Sequence, residues 1–339
     1  MTRAGPALLL DGQPWRFTGI NAFSATSYAP VNLGCGPPIA DLDTVFAGLR
    51  PGSAVRVWAF QALGWNDKDR PGHIDFTGID RVVAAAERAH QQLILTLSDQ
   101  SGTCDDGHWH DQAWYDGGYT QRYDDYGYGN GDRSYLDWVR LIVARYRDSG
   151  AVAVWEPVNE PEASTCSGAT GSACYGTQRT CSDSAELSLR SFYDAIGAEI
   201  HRLDPGSVVG TGVIGRKQCG VNGGGFVRLA QSPQVDLMTY HDYSGADETL
   251  PPDLQERIGE AADSAKPLVI EEAGIWAGPG CLTADQRSED FAAKIRSAFA
   301  HGLAGYLVWD YAADAGSSCS YAVGPRDPLL ALLSTLTPG

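Results

Sequence analysis

The sequence predicts an α/β chain folded as a (β/α)8 TIM barrel. Eight apolar runs recur along the 339 residues, and helical patterns alternate with them. The runs are continuously apolar rather than alternating, as strands of a parallel sheet covered on both faces should be. No internal repeat and no low-complexity linker interrupts the series, so residues 1–339 are expected to form a single barrel domain.

Taken in order, the candidate strands are 15–21, 54–60, 93–98, 152–159, 207–213, 235–240, 268–272 and 305–309. Helical patterns are read at 80–87, 135–146, 184–203, 254–265 and 285–301, with a short closing helix over 328–336. All eight cysteines (Cys35, Cys104, Cys166, Cys174, Cys181, Cys219, Cys281 and Cys319) fall in segments that follow strands. In a barrel those segments crowd one rim, the face on which active sites are built, so disulfide-stapled βα loops are expected there. Eight cysteines allow 105 pairings, and Cys281–Cys319, joining neighbouring loops, is the first expected.

Composition narrows the function classes. Twenty-five basic against 42 acidic residues give a net charge of −17, which argues against nucleic acid and anionic membranes as partners. No run reaches the ~18 apolar residues of a membrane span. The beginning of the chain lacks the apolar core of a signal peptide, while eight cysteines suit an oxidising compartment. The expectation is a secreted, extracellular mature form whose signal was replaced by a start Met. No CxxC spacing occurs, so no zinc site and no other metal or cofactor is expected.

Two of the apolar runs end in carboxylates. Trp155-Glu156-Pro157-Val158-Asn159-Glu160-Pro161 closes the fourth, and Leu268-Val269-Ile270-Glu271-Glu272 closes the seventh. Their ends lie 112 residues apart (272 minus 160). Hydrolysis of a glycosidic bond with retention needs two carboxyls about 5–5.5 Å apart, which opposite strands of a barrel can supply. Glu160, desolvated at the barrel mouth, would have a raised pKa and could donate a proton. Asn159 could bond a sugar 2-hydroxyl. Adjacent strand residues point to opposite faces, so only one of Glu271 and Glu272 should face the sugar, the other pairing with a cation or facing the helices.

Arg56 lies inside the apolar strand Ala54-Val55-Arg56-Val57-Trp58, where a buried guanidinium needs a carboxylate. It could hold the second carboxylate ionised, or form a structural pair below it. His241 and Tyr243 share a face at the sixth strand's end, and Trp309 ends the eighth, placed to floor a pyranose ring. The long third loop, residues 100–131, carries Trp109, Trp114, Tyr115, Tyr119, Tyr123, Tyr126 and Tyr128. Most of these rings are expected to form the loop's own core and two or three to touch substrate. Asp105, Asp106, Asp124, Asp125 and Asp132 offer carboxylates for calcium, without an EF-hand pattern.

Set in order, these pieces resemble the retaining glycoside hydrolases of clan A, and within it family 5, the cellulase and mannanase family. The resemblance runs from Asp11-Gly12-Gln13-Pro14-Trp15 through Val55-Arg56-Val57-Trp58-Ala59-Phe60, Asn159-Glu160-Pro161, His241-Asp242-Tyr243, Glu272-Ala273-Gly274 and Trp309. It implies Glu160 as acid/base, Glu272 as nucleophile, and Arg56, Trp58, Asn159, His241, Tyr243 and Trp309 around the sugar. Where many members carry a histidine after the third strand, this chain reads Leu97-Ser98-Asp99-Gln100, so Asp99 or Gln100 takes its place. The second strand looks most like the endo-β-1,4-mannanase branch. The resemblance thus implies a monomeric enzyme that cuts a β-linked polysaccharide, β-1,4-mannan first. A β-1,4-glucanase, an exo-β-glycosidase of the same clan and a non-catalytic sugar-binding barrel are the alternatives.

Overall fold

The computed structural model describes residues 1–70, 72–122, 133–166, 174, 179–313 and 318–336. Eight parallel strands form its central sheet: β1 (Phe17–Asn21), β2 (Ala54–Trp58), β3 (Gln92–Thr96), β4 (Val152–Glu156), β5 (Val208–Val209), β6 (Met238–Asp242), β7 (Leu268–Ala273) and β8 (Gly305–Val308). Neighbours run β5-β4-β3-β2-β1-β8-β7-β6. A bridge between Gly210 and Leu237 joins the two ends, so the sheet curls onto itself as a barrel.

Each strand is followed by a helix: α1 (Leu42–Ala47), α2 (Thr77–Ala89), α3 (Tyr135–Tyr146), α4 (Ala185–Leu203), α5 (Gly225–Ala230), α6 (Pro252–Asp263), α7 (Ala284–Ala300) and α8 (Pro328–Thr335). Their starts carry local signals. Capping boxes open α3 (Ser134 with Asp137) and α7 (Thr283 with Gln286), and proline stands in the first turn of α6 and α8. The six-residue helices α1 and α5 were not expected, because they are too short to display a 3.6-residue period.

Two strands end three or more residues before their apolar runs do. β4 stops at Glu156 because Pro157 has no N–H for the ladder. Glu160 is therefore not a strand residue as expected; it lies four residues beyond, in a loop. β5 keeps two residues, after which Gly210 and Gly212 (φ 64°) turn the chain away.

The interior is layered. An antiparallel meander at Thr2–Ala4, Ala7–Leu10 and Gln13–Pro14 lies under the barrel, and its Leu8 clusters with Trp15, Phe17, Ile94, Val154, Val269 and Leu307 as an apolar floor. The wider cluster fills the space between strands and helices. Above the floor, Arg56, Glu156 and Glu271 occupy the barrel interior with no exposed surface.

Disulfides join Cys35 to Cys104, Cys181 to Cys219, and Cys281 to Cys319. Each ties two βα loops at the same rim, and the expected Cys281–Cys319 pair is among them. No helix among the described residues is long and apolar enough to cross a membrane.

Candidate active site

Arg56 organises the site. A guanidinium carries five N–H donors, and all five are used here. Nε and Nη2 donate to Glu156 (3.2 and 2.7 Å), and Nη2 donates also to Asn159 Oδ1 (2.6 Å). Nη1 donates to Asn21 Oδ1 (3.0 Å) and to Glu272 Oε1 (2.6 Å). Arg56 thus touches both Glu272 at the mouth and the buried Glu156, the two kinds of pairing foreseen for it.

Glu272 is pinned from the other side as well. Its Oε2 accepts from the Tyr243 hydroxyl at 2.8 Å and lies 3.4 Å from His241 Nδ1. The same His241 nitrogen is 2.9 Å from Glu160 Oε1. One oxygen of Glu160, one of Glu272 and a nitrogen of His241 all lie within 4.8 Å of one another.

Among the described residues this trio is the one set of side chains clustered closely enough to chelate a metal. Its cations are nevertheless built in, since Arg56 already binds Glu272 and His241 bonds Glu160.

Glu160 reaches this position through an unusual backbone turn. Its φ is +53°, the left-handed region that costs an L side chain on the order of 1–2 kcal/mol. Its N–H donates to Gly212 O at 2.8 Å. A Cβ at Gly212 would lie 2.1 Å from Val158 O and 3.0 Å from the Glu156 carboxyl, so only glycine lets the two loops meet there.

The β7 pairing explains why two consecutive glutamates both face the barrel interior. Tyr240 is opposite Ile270, but His241 is opposite Glu272, so Glu271 is the extra residue of a bulge. The strict alternation expected for this strand is broken at that residue. Glu272 is left at the mouth. Glu271 is fully buried, 3.9 Å from Arg56 Nε and 3.9 Å from His241 Nε2.

Burial and neighbouring charge set the protonation states. Burial pushes Glu156 well above the carboxylate range, and the Glu271 charge adds to this, against the pull of Arg56. Burial would also raise Glu271, but Arg56 and His241 outweigh it and hold the group low. Within this pair the neutral form is thus favoured at Glu156 and the charged form at Glu271.

Burial alone would lower His241, yet Glu272, Glu160 and Glu271 around it push its pKa up to about 10. Glu160 departs from expectation: burial raises it as foreseen, but the His241 hydrogen bond and charge, with Arg56, bring it below its ordinary value. Tyr243 is pushed up by burial and then by Glu272, so its hydroxyl stays a donor.

The remaining expected residues join the same mouth. Asn159 Nδ2 donates to Asp99 Oδ1 at 2.8 Å, and these two residues form a bridge between the loops after β3 and β4. Asp99 is raised by burial, opposed by bonds from Asn159 and Ser101. Its neighbour Gln100 is turned inward to Tyr115, the Glu162 N–H and the His110 carbonyl. Trp58 and Trp309 lie 6.1 Å apart, with Phe23 stacked on Trp309 at 5.3 Å, and form an aromatic wall.

The third loop corrects an expectation. Trp109, Trp114 and Tyr115 are buried, but Trp114 packs on Tyr135 of α3 and Phe192 of α4 as well as on His110 and Tyr119, so Trp114 and Tyr115 belong to the main core rather than to a core of the loop's own. Tyr123, Tyr126 and Tyr128 lie outside the described residues, as do Asp124, Asp125 and Asp132. Asp105 accepts from Ser98 Oγ at 2.7 Å and Asp106 lies 3.0 Å from His110 Nε2, protein partners in the place of calcium.

Sequence reasoning missed Asn21, Glu156 and Asp310. The first two had a signal: polar residues in apolar strands need partners, and Arg56 was the unassigned cation. Asp310, partly buried beside Trp309, is pushed up to about 6 by burial and then by the charge of Glu272. It had no pattern to mark it.

No family model matches the chain. The protein is similar to a probable mannan endo-1,4-beta-mannosidase F of Aspergillus flavus, with 27% identity covering 94% of this chain and 67% of that protein. It is also similar to mannan endo-1,4-beta-mannosidase 8 of Oryza sativa subsp. japonica, with 26% identity over 85% of this chain and 82% of that one. Among solved structures, an endo-1,4-beta-mannanase from Rhizomucor miehei superposes with a TM-score of 0.70 at 20% identity, covering 98% and 97% of the two chains. The hyperthermostable endo-1,4-beta-D-mannanase of Thermotoga petrophila RKU-1 gives 0.65 at 17% identity, with 94% and 98% covered.

Proposed function

We propose that this chain, whose similarities run to the family 5 mannanase branch of clan A, is a retaining β-glycoside hydrolase that cuts β-1,4-mannan. The reading rests on one observation: Glu160 and Glu272 present oxygens within 4.8 Å of each other across His241. That spacing suits direct attack by a carboxylate, whereas inversion needs about 6.5–9.5 Å between carboxyls to admit a water.

Glu272, held by Arg56 and Tyr243, attacks the anomeric carbon. The glycosidic C–O bond breaks as Glu160 protonates the departing oxygen. The trio of Glu160, His241 and Glu272 carries one proton more than a neutral imidazole and two carboxylates. His241 holds it at rest and passes it along the 2.9 Å contact to Glu160 as the leaving group develops charge.

The ester formed on Glu272 removes one negative charge beside His241. Glu160, now a carboxylate, takes a proton from water; the hydroxide attacks the same carbon and frees Glu272. The proton returns to His241, so atoms and charge balance over the cycle. Asn159, oriented by Arg56 and Asp99, bonds the 2-hydroxyl. Trp58 and Trp309 cover the pyranose face.

The remaining parts of the reading are a single barrel domain, a monomer and an exported protein, the last supported by rim disulfides in an acidic chain.

The test is product analysis on galactomannan, glucomannan, carboxymethyl-cellulose and xylan, with Glu160→Gln as blank. Mannose oligomers released with β-configuration, seen by proton NMR at early times, are expected from the unaltered protein alone. Cleavage of glucan but not mannan would overturn the substrate, and α-anomers as first products would overturn retention.

A further inference from the structure

Trp276 is the one strongly exposed aromatic side chain among the described residues, 53% accessible, where such rings are ordinarily covered. It follows β7 by three residues, on the same rim as Glu272. Its ring meets Tyr321 edge-on at 5.5 Å, and Tyr321 meets Tyr243 at 5.2 Å. Tyr243 is the donor to Glu272 Oε2. A chain of three rings therefore leads from the candidate nucleophile to an open tryptophan.

These rings line a cavity of about 280 Å³ that includes Tyr243, Ser244, Ile275, Trp276, Leu282 and Tyr321. It borders the catalytic mouth, since Tyr243 lines it and also donates to Glu272 Oε2.

The surface is fixed in place rather than loosely hung. Ala277 and Ser320 exchange two backbone hydrogen bonds of 3.0 Å, and Cys281–Cys319 ties the same two loops a few residues on. Gly274 makes the approach of the rings possible. A Cβ there would lie 2.6 Å from Tyr243 and 2.7 Å from Tyr321.

We infer that Trp276 is a stacking platform for a further pyranose of the polysaccharide, beyond the sugar held between Glu160 and Glu272. A rigid aromatic face next to a few hydroxyls is what a sugar ring, apolar on its C–H face and polar at its edge, requires. The occupant is the continuation of the chain held at Glu160 and Glu272, because Tyr243 walls the cavity on one side and bonds Glu272 on the other. The inference rests on the polysaccharide reading above and adds a second sugar site to it.

Trp276→Ala and Trp276→Phe are compared on galactomannan. In a Glu160→Gln background the same changes are tested for binding mannotetraose and cellotetraose by calorimetry. Trp276→Ala should raise KM and Kd about tenfold, the scale of one lost aromatic stack, with kcat changed far less and Phe restoring most of the affinity. KM and Kd within twofold of the parent would overturn the platform. An unaltered protein that leaves mannan uncut yet binds cellotetraose through Trp276 would overturn the mannan reading and uphold the platform. Binding of neither tetraose would overturn both.

Discussion

Arg56→Lys separates a merely positive charge from the fork geometry the site uses. The five guanidinium hydrogens make five bonds, to Glu156 twice and to Asn21, Asn159 and Glu272 once each. An ammonium offers three donors, so at least two bonds are lost even with ideal placement. Each buried acceptor left alone costs about 1–3 kcal/mol, which places the loss of stability at about 2–6 kcal/mol. Glu272 and Asn159 lose the group that aims them, and a misplacement of ~1 Å costs on the order of 100-fold in kcat. Guanidinium unfolding followed by fluorescence, with kcat on galactomannan, measures both. Arg88→Lys is the control, since Arg88 and Asp43 are 59% and 65% exposed, and it should change stability by less than about 0.5 kcal/mol. Arg56→Lys with stability within 1 kcal/mol and kcat within threefold of the parent (roughly the noise of each assay) would refute the saturated-fork argument.

Glu272→Ala should reduce kcat on mannan by roughly 10⁴-fold or more, whereas Glu271→Gln, a shape-conserving change below the mouth, should stay within about tenfold; reversed ranks would reassign the nucleophile. His241 has a folded pKa of about 10 against an ordinary 6.5, so its contribution to stability is complete below pH 6.5 and is lost as pH rises through 10. Unfolding midpoints measured from pH 7 to 10 should therefore fall more steeply for the unaltered protein than for His241→Gln, and parallel curves would refute the imidazolium. Cys281 and Cys319 are 38 residues apart in sequence, and replacing both with serine should lower unfolding free energy by about 2–4 kcal/mol, read by denaturant titration; no change would mean the tie does not constrain the unfolded chain.

Much of the architecture was legible because parallel strands buried on both faces cannot disguise themselves as polar alternation. α3 was placed at its observed bounds, 135–146, since twelve residues carry more than three turns of period. α1 and α5 escaped the same reasoning at six residues each. The site was also largely legible: Arg56, Glu160, His241 and Glu272 are ionisable residues in or beside apolar strands, where burial demands a partner.

What the chain determined by itself, then, was the order of strands and helices, the rim that holds the cysteines, and the list of polar groups needing company. Tertiary structure decided who keeps company with whom. A bulge at Glu271 turned two consecutive glutamates to one face, which a period-two reading forbids, and a left-handed turn beside Gly212 carried Glu160 beyond its strand. The direction of the Glu160 pKa reversed for the same reason. Burial can be anticipated from an apolar run, but the imidazolium that outweighs it arrives from β6, 81 residues along the chain.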